Sequence, residues 1–192
     1  MPIKKYFLFL SVIFAGVIVV MALQGYWPVA FVNSSPIFDY QFKGAYAVAY
    51  NYYLSSLKAA KEDPVILKSE EIQKEIRQTV FESLIEQKLI RAELANEIKS
   101  KDLADMLERK INSGGPIDSE NFKKGVELLY GVSADEFKNI VLIPQAESEI
   151  FEGRLILQNK NMDDWINEKV SKADVKIVMP GFYWSSEGIK AK

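Results

Sequence analysis

The chain has 192 residues, of which 48% are hydrophobic and 26% are charged, the balance of a folded protein with room for one domain and an anchor. It contains neither cysteine nor histidine, which excludes disulfides, thiol nucleophiles, Ser–His–Asp relays and imidazole metal ligands. Its net charge of −2 offers no electrostatic footprint for nucleic acid. We therefore expect a binding protein that is not an enzyme and uses no cofactor.

The first feature along the chain is an uncharged apolar segment from Phe7 to Leu23. As a helix it would span about 26 Å, close to the ~30 Å hydrocarbon core of a bilayer. Lys4 and Lys5 precede it, and the next basic residue is Lys43. The positive-inside rule therefore places the N-terminus in the cytoplasm and the rest of the chain outside. The sequence predicts a single-pass anchor at residues 1–23.

A cleaved signal peptide is the alternative interpretation of the same segment. Val20-Met21-Ala22 is an acceptable small-residue cleavage site. The apolar run is longer than the usual ~7–15 residues of a signal peptide, which favours a retained anchor. Residues 24–28 follow as a predicted juxtamembrane linker.

The remainder, residues 29–184, is predicted to form one mainly α-helical domain. Apolar residues recur there at the three- and four-residue spacing of amphipathic helices. The six predicted helices cover residues 39–61, 69–98, 101–111, 119–130, 133–157 and 162–171. Ser133 and Glu136 form a capping-box pattern at the start of the fifth helix, and Pro144 should kink that helix.

The second predicted helix carries apolar residues on most of its circumference, so it should be the buried, central helix. One stripe contains Ile72, Ile76, Val80, Ile90, Leu94 and Ile98, and the other side carries Phe81, Leu84, Ile85 and Leu89. We expect Val80, Phe81, Leu84, Ile85 and Leu89 to be almost fully buried.

Two short apolar stretches at opposite ends of the domain have the pattern of strands. They are Val29–Val32, which is followed by the turn-forming residues 33–36, and Val175–Met179, which alternates with polar residues. The sequence predicts that they pair as a small two-stranded antiparallel sheet packed on the central helix. Residues 185–192 are predicted to be a loose tail.

Three stretches of the chain resemble a known family. Val32 to Phe42, reading Val-Asn-Ser-Ser-Pro-Ile-Phe-Asp-Tyr-Gln-Phe, looks like the opening of the SurA-type N-terminal chaperone domain found in SurA-, PrsA- and PpiD-like proteins. Phe81 to Ile90 resembles the core helix of that domain, and Gly131-Val132-Ser133 followed by Phe137 resembles a later turn. Ser34, Phe38 and Gln41 depart from the family pattern at the first turn and helix cap. The resemblance implies a SurA-N-like helical fold that binds unfolded or exported polypeptides.

Members of this family usually carry a parvulin prolyl isomerase module between the late helices and the closing segment. Here Gln158-Asn159-Lys160-Asn161 joins the fifth and sixth predicted helices directly, and four residues cannot hold such a module. Parvulin sites also characteristically use histidine, which this chain lacks. The resemblance therefore implies chaperone binding without isomerase activity.

Aromatic residues of the first helix are the candidates for client binding. Phe42, Tyr46, Tyr50, Tyr53 and Leu57 form one stripe, which most simply belongs to the core. By contrast, Tyr40, Val48 and Tyr52 project away from that stripe, so we expect them to be exposed and to contact clients.

Other candidates have simpler explanations. The acidic pairs Glu70/Glu71 and Asp163/Asp164 lie at helix starts, where negative charge complements the helix dipole, so no metal site is expected. The run Phe182-Tyr183-Trp184 suits either a partner- or membrane-facing patch or a cover for the end of the sheet.

Two functional hypotheses follow. The protein is either a membrane-tethered extracytoplasmic chaperone that holds unfolded segments of exported proteins, or a structural adaptor that holds one specific partner. An exposed groove with scattered apolar residues would favour the chaperone, and a single flat apolar patch would favour the adaptor.

Overall fold

The computed structural model describes residues 20–21, 24–185 and 188–192. The apolar segment Phe7–Leu23 lies outside the described residues except for Val20 and Met21. Among the residues that are described, no helix combines the length and the hydrophobicity that crossing a membrane requires. The anchor and the cleaved signal peptide therefore both stay predictions.

The described part of the chain is mainly helical, as predicted, with six helices. Their bounds are Asp39–Ala60 (α1), Glu70–Glu97 (α2), Ser100–Ser113 (α3), Glu120–Tyr130 (α4), Ala134–Leu157 (α5) and Met162–Lys172 (α6). A 3₁₀ helix, Pro64–Lys68, connects α1 to α2. The predicted bounds agree with these to within a few residues, because Asp63-Pro64, Gly114-Gly115 and Gly131 end or interrupt helical backbone.

Helix α5 contains an irregular stretch directly before Pro144. It begins as Ala134–Phe137, passes through the π-helical turn Lys138–Leu142, and continues as Ile143–Leu157. The amide of Ile143 donates to the carbonyl of Lys138, five residues back. Proline has no amide to donate, so the irregularity predicted at Pro144 takes the form of this wider turn.

Strand β1 (Pro28–Val32) is the middle strand of a three-stranded antiparallel sheet. Its pairing with β3 (Val175–Ile177) confirms the prediction that the two ends of the domain meet, with Phe31 opposite Lys176. The prediction of only two strands was wrong, because β2 (Ser35–Phe38) pairs on the other edge.

The missed strand is the second arm of a tight hairpin. Asn33 and Ser34, the two residues between β1 and β2, have φ angles of 47° and 68°. Two consecutive residues with positive φ make the hairpin turn whose twist matches the flanking strands. Pro36 is tolerated in β2 because β2 is an edge strand and needs no amide donor on its outer side.

The prediction of a loose tail at residues 185–192 was also wrong. Strand β4 (Phe182–Ser185) pairs antiparallel with β5 (Gly188–Ala191), with Trp184 opposite Ile189. Ile189 is completely buried in the core and β5 packs on α2. The alternation in Gly188–Ala191 covers only four residues, which is too short to be recognised as a strand.

The predicted linker at residues 24–28 is attached to the domain rather than free. The amide of Tyr40 donates to the carbonyl of Gly25 over 3.1 Å, and the amide of Asp39 donates to the carbonyl of Trp27 over 2.9 Å. Pro28 is already the first residue of β1. The domain therefore begins within two residues of Leu23.

The core is centred on α2, as predicted. Phe81, Ile85 and Leu94 are almost inaccessible, and Val80 and Leu89 are buried. The Phe81 ring lies 4.3 Å from the Phe42 ring of α1 and 5.6 Å from the Phe182 ring of β4.

The expectation for Leu84 was wrong, since it is only half-buried. Leu84 lies about 100° around the helix from Ile85, at the edge of the buried face.

Candidate binding groove

An open groove lies between α3 and α4. Helix α3 packs on α2 and α5, whereas α4 packs on α1 and the first turn of α5. The loop of residues 114–119 joins α3 to α4. The space between them is a groove of about 990 Å³, closed at one side by residues 131–138.

The groove is lined by both apolar and charged side chains. The partly or fully buried apolar residues are Leu107, Ile111, Ile117, Val132 and Ile143. Acidic residues outnumber basic ones: the lining contains Glu108, Asp118, Glu127, Asp135 and Glu136, but only Lys123 and Lys138 among basic residues. Such a surface can take apolar side chains of an extended segment and favours segments that carry positive charge.

Glu136, one of the acidic residues that line the groove, accepts hydrogen bonds from Ser133. The hydroxyl of Ser133 accepts from the Glu136 amide, and the Ser133 amide donates to Oε2 of Glu136 over 2.9 Å. This is the predicted capping box, and it is confirmed. The backbone hydrogen bond from Ser133, together with its hydroxyl, lowers the pKa of Glu136. Glu136 is therefore ionised at neutral pH.

The end of α4 that borders the groove is held by α1. The Asn51 amide group donates to the carbonyl of Tyr130 over 2.9 Å, and the Tyr52 ring stacks on the Tyr130 ring at 5.6 Å. Gly131, the next residue, has φ of 67°, and a Cβ there would lie 2.6 Å from Nδ2 of Asn51. Only glycine fits this position without moving Asn51, so the geometry of the wall depends on it.

The opposite wall, α3, is held on α5 by an ion pair. Nζ of Lys110 lies 2.7 Å from Oε2 of Glu149, and Gln145 also donates to that carboxylate. Lys110 and then Gln145 lower the pKa of Glu149 through these hydrogen bonds. Both walls are thus fixed through contacts made outside the groove.

The three predicted client-binding residues do not lie together. Tyr40 and Tyr52 are about half exposed, as expected. The expectation for Val48 was wrong, because its exposed fraction is 7%. Val48 lines a smaller recess of about 460 Å³ where α1 approaches α2 and the π-helical turn of α5, beside the small residues Ala45 and Ala49. Their short side chains allow this close approach, which covers Val48.

The other two residues belong to separate aromatic clusters. Tyr40 lies 5.1 Å from Tyr26 and 5.9 Å from Phe38, whereas Tyr52 stacks on Tyr130. Twelve residues of helix separate Tyr40 from Tyr52, which is a rise of about 18 Å. Tyr53, which was predicted to be part of the core stripe, is about half exposed. Tyr46, Tyr50 and Leu57 of the same stripe pack against the core, so the prediction was wrong for Tyr53.

The remaining candidate residues lie at positions that helix starts or core packing explain. Glu70, Glu71, Asp163 and Asp164 lie in the first turns of α2 and α6, and no group of acids that could hold a metal ion occurs in the residues described. In the Phe182-Tyr183-Trp184 run, Phe182 is buried against Phe81 and Tyr183 is exposed.

The groove itself was not predicted from sequence. The signal available in the sequence was the apolar face of α3, formed by Leu103, Met106, Leu107 and Ile111, of which only Ile111 is fully buried. Met106 and Leu107 keep part of their surface exposed.

Comparison of the chain with protein-family models, with curated proteins and with solved structures found no match.

Proposed function

We propose that this protein is a membrane-tethered, extracytoplasmic chaperone that holds unfolded segments of exported proteins in the groove between α3 and α4. The observation that carries the proposal is the groove of about 990 Å³, whose lining combines scattered apolar side chains with charges. A groove of this kind suits many extended segments, whereas an adaptor for one partner suits a single flat apolar patch. The resemblance to SurA-type N-terminal domains supports the same proposal.

The expected binding is weak and broadly selective. Apolar contacts with Leu107, Ile117 and Val132 require no particular client sequence, and a flexible client loses conformational entropy when it is ordered. We expect micromolar or poorer affinity for an isolated segment. Anchoring at residues 7–23 would offset this weakness, because a tether beside emerging chains raises the effective concentration of the groove.

Holding, rather than catalysis, is the proposed activity. The chain has no histidine and no room for an isomerase module between α5 and α6, which are joined by residues 158–161. We expect no acceleration of prolyl isomerisation in a peptide assay.

The test uses the full chain in lipid nanodiscs. Suppression of aggregation is measured for several unrelated, chemically unfolded proteins. The variant Leu107→Ser with Val132→Ser removes two apolar side chains from the groove, and Leu128→Ser on the exposed surface of α4 is the matched control. We expect the groove variant to lose most of the suppression and the control to retain it.

Thermal unfolding of each variant separates lost binding from lost folding. If the wild-type chain binds none of the unfolded proteins but captures one folded partner, the adaptor hypothesis replaces the chaperone. Equal activity of the groove variant and the wild type, at equal stability, would show that clients bind elsewhere.

A further inference from the structure

The domain is attached directly to the end of the proposed membrane anchor. Besides the bonds from Asp39 and Tyr40 to residues 25–27, the amides of Val178 and Met179 donate to the carbonyl of Val29 over 2.8 and 3.0 Å. Residues 25–29 are therefore fixed to both α1 and the end of β3. In the sequence, Gly25 follows the end of segment 7–23 by two residues, a link that reaches at most about 7 Å when fully extended. If residues 7–23 span a bilayer, this side of the domain lies at its surface.

This side of the domain carries an exposed aromatic face, which we define as Tyr26, Trp27, Tyr40 and Val178. Each of the four is 45–55% exposed. The Tyr26 ring contacts the Tyr40 ring at 5.1 Å, and Trp27 and Val178 line a shared recess of about 410 Å³. Tyrosine and tryptophan have an apolar body and a polar tip, so they favour the boundary between hydrocarbon and head groups.

The charges around this face are compatible with lipid head groups. The one acidic residue lining the recess, Asp39, is buried, and its Oδ2 lies 2.7 Å from Nζ of Lys43. That approach lacks hydrogen-bond geometry, so Oδ2 has no hydrogen-bond partner. The Lys43 side chain is 71% exposed, one turn along α1 from Tyr40. An uncharged aromatic face with a lysine at its edge matches an interface rich in phosphate.

We propose that the aromatic face docks into the head-group layer of the bilayer and fixes the orientation of the domain on the membrane. This inference rests on the anchor in the proposed function. The inference adds that the domain is held against the membrane surface instead of moving freely at the end of its anchor. Tyr52, which holds the α4 wall of the groove, lies about 18 Å along α1 from Tyr40, so docking of the aromatic face would fix the position of the groove relative to the membrane surface.

The absence of cysteine allows a direct test, because each introduced cysteine is unique in the chain. The full chain is reconstituted in vesicles of phosphatidylethanolamine and phosphatidylglycerol, with a nitroxide at Tyr40→Cys or Val178→Cys. Leu128→Cys and Leu157→Cys, on exposed parts of α4 and α5, are the matched controls, and Ala15→Cys reports on the anchor. Collision rates with oxygen, which concentrates in lipid, and with a water-soluble nickel chelate give the depth of each label.

We expect an oxygen-to-nickel collision ratio several-fold higher at Tyr40 and Val178 than at Leu128 and Leu157. Adding Trp27→Ser should lower the ratio at Val178, with the thermal unfolding temperature unchanged. If the Ala15 label is in lipid but the collision ratios at Tyr40 and Val178 equal those of the controls, the anchor is supported and docking is refuted. If the Ala15 label is also in water, the anchor fails and docking fails with it.

Discussion

Arg91 of α2 and Glu147 of α5 form an ion pair that is made of two hydrogen bonds. Nε of Arg91 lies 2.9 Å from Oε1 of Glu147, and Nη2 lies 2.8 Å from Oε2. The Glu147 side chain is almost fully buried, whereas the Arg91 side chain is 45% exposed. The pair joins the central helix to the helix that supports the groove, over a separation of 56 residues in sequence.

Replacing Arg91 by methionine should destabilise the domain. The substitution keeps most of the aliphatic length but leaves the buried Glu147 carboxylate without its partner. We expect a loss of about 1–3 kcal/mol in the free energy of unfolding, at the lower end if water reaches the vacated space through the exposed side of Arg91. Urea unfolding at neutral pH measures it.

The double variant Arg91→Met with Glu147→Leu is the informative control. It removes the uncompensated charge, so it should be more stable than Arg91→Met alone. A double variant that is less stable by the sum of the two single losses would show that the two residues act independently.

The core of α2 gives a second prediction, which separates two neighbouring residues. Ile85→Ala removes a fully buried side chain and should cost about 2–5 kcal/mol, from lost burial plus the cavity. Leu84→Ala should cost clearly less, because Leu84 is half-buried and water can occupy part of the space. Denaturant unfolding of both variants gives the two values. Equal losses would mean that Leu84 is as deeply packed as the sequence indicated.

Glu86 gives a pH-dependent prediction. Burial, followed by repulsion from Glu82, raises the pKa of Glu86 above its ordinary value. A carboxyl whose pKa is raised by folding favours the folded state fully at acidic pH, below the unfolded pKa, and that contribution is lost as the pH rises through the folded pKa. Glu86→Gln should therefore stabilise the domain at pH 7, by about 0.5 kcal/mol or less since the group is part-exposed.

The gain from Glu86→Gln should disappear near pH 3, where the wild-type carboxyl is protonated as well. Thermal unfolding at both pH values, with the exposed Glu75→Gln on the same helix as control, measures the difference. A gain that is the same at both pH values would show that burial of the charge is not its cause.

Much of the fold could be predicted because local signals and periodicity agree. The capping box at Ser133, the stop at Gly131 and the apolar stripes of α2 each determine the backbone within a few residues. The strands β2 and β5 could not be predicted, because their stabilisation comes from pairing partners and from burial of Ile37 and Ile189, not from their own short patterns.

The groove could be predicted least. It depends on how α3 and α4 diverge after the glycine-containing loop of residues 114–119, and helical periodicity carries no information about that angle. The misplacement of Val48 has the same origin. Periodicity shows that it leaves the main stripe, but only the packing of α5 beside Ala45 and Ala49 shows that a second helix covers it.

The tail strand supplies a fourth prediction. Ile189→Ala should cost about 2–5 kcal/mol, as for other fully buried aliphatic residues, although only three residues follow it in the sequence. Lys192→Ala, which removes an exposed side chain directly after the same strand, is the control. Unfolding by urea measures both. A loss below ~1 kcal/mol for Ile189→Ala would show that β5 separates from the domain without affecting the core.

The charge of the groove supplies the last prediction. Five acidic and two basic side chains line it, so the electric field inside the groove favours positively charged ligands. Glu108→Lys reverses one of these charges on the exposed surface of α3, and Glu152→Lys makes the same change on α5, outside the groove. We expect Glu108→Lys to weaken binding of a lysine-containing unfolded peptide about threefold at low salt, the size of an exposed ion-pair effect of ~0.6 kcal/mol.

The difference in affinity between Glu108→Lys and the wild type should shrink towards zero at 1 M salt, where screening acts over about 3 Å. Fluorescence anisotropy of the labelled peptide with the full chain in nanodiscs measures both conditions, and a neutral peptide of equal length should bind both variants equally. If Glu152→Lys weakens binding as much as Glu108→Lys does, the effect comes from net charge, and the groove is not where the basic peptide binds.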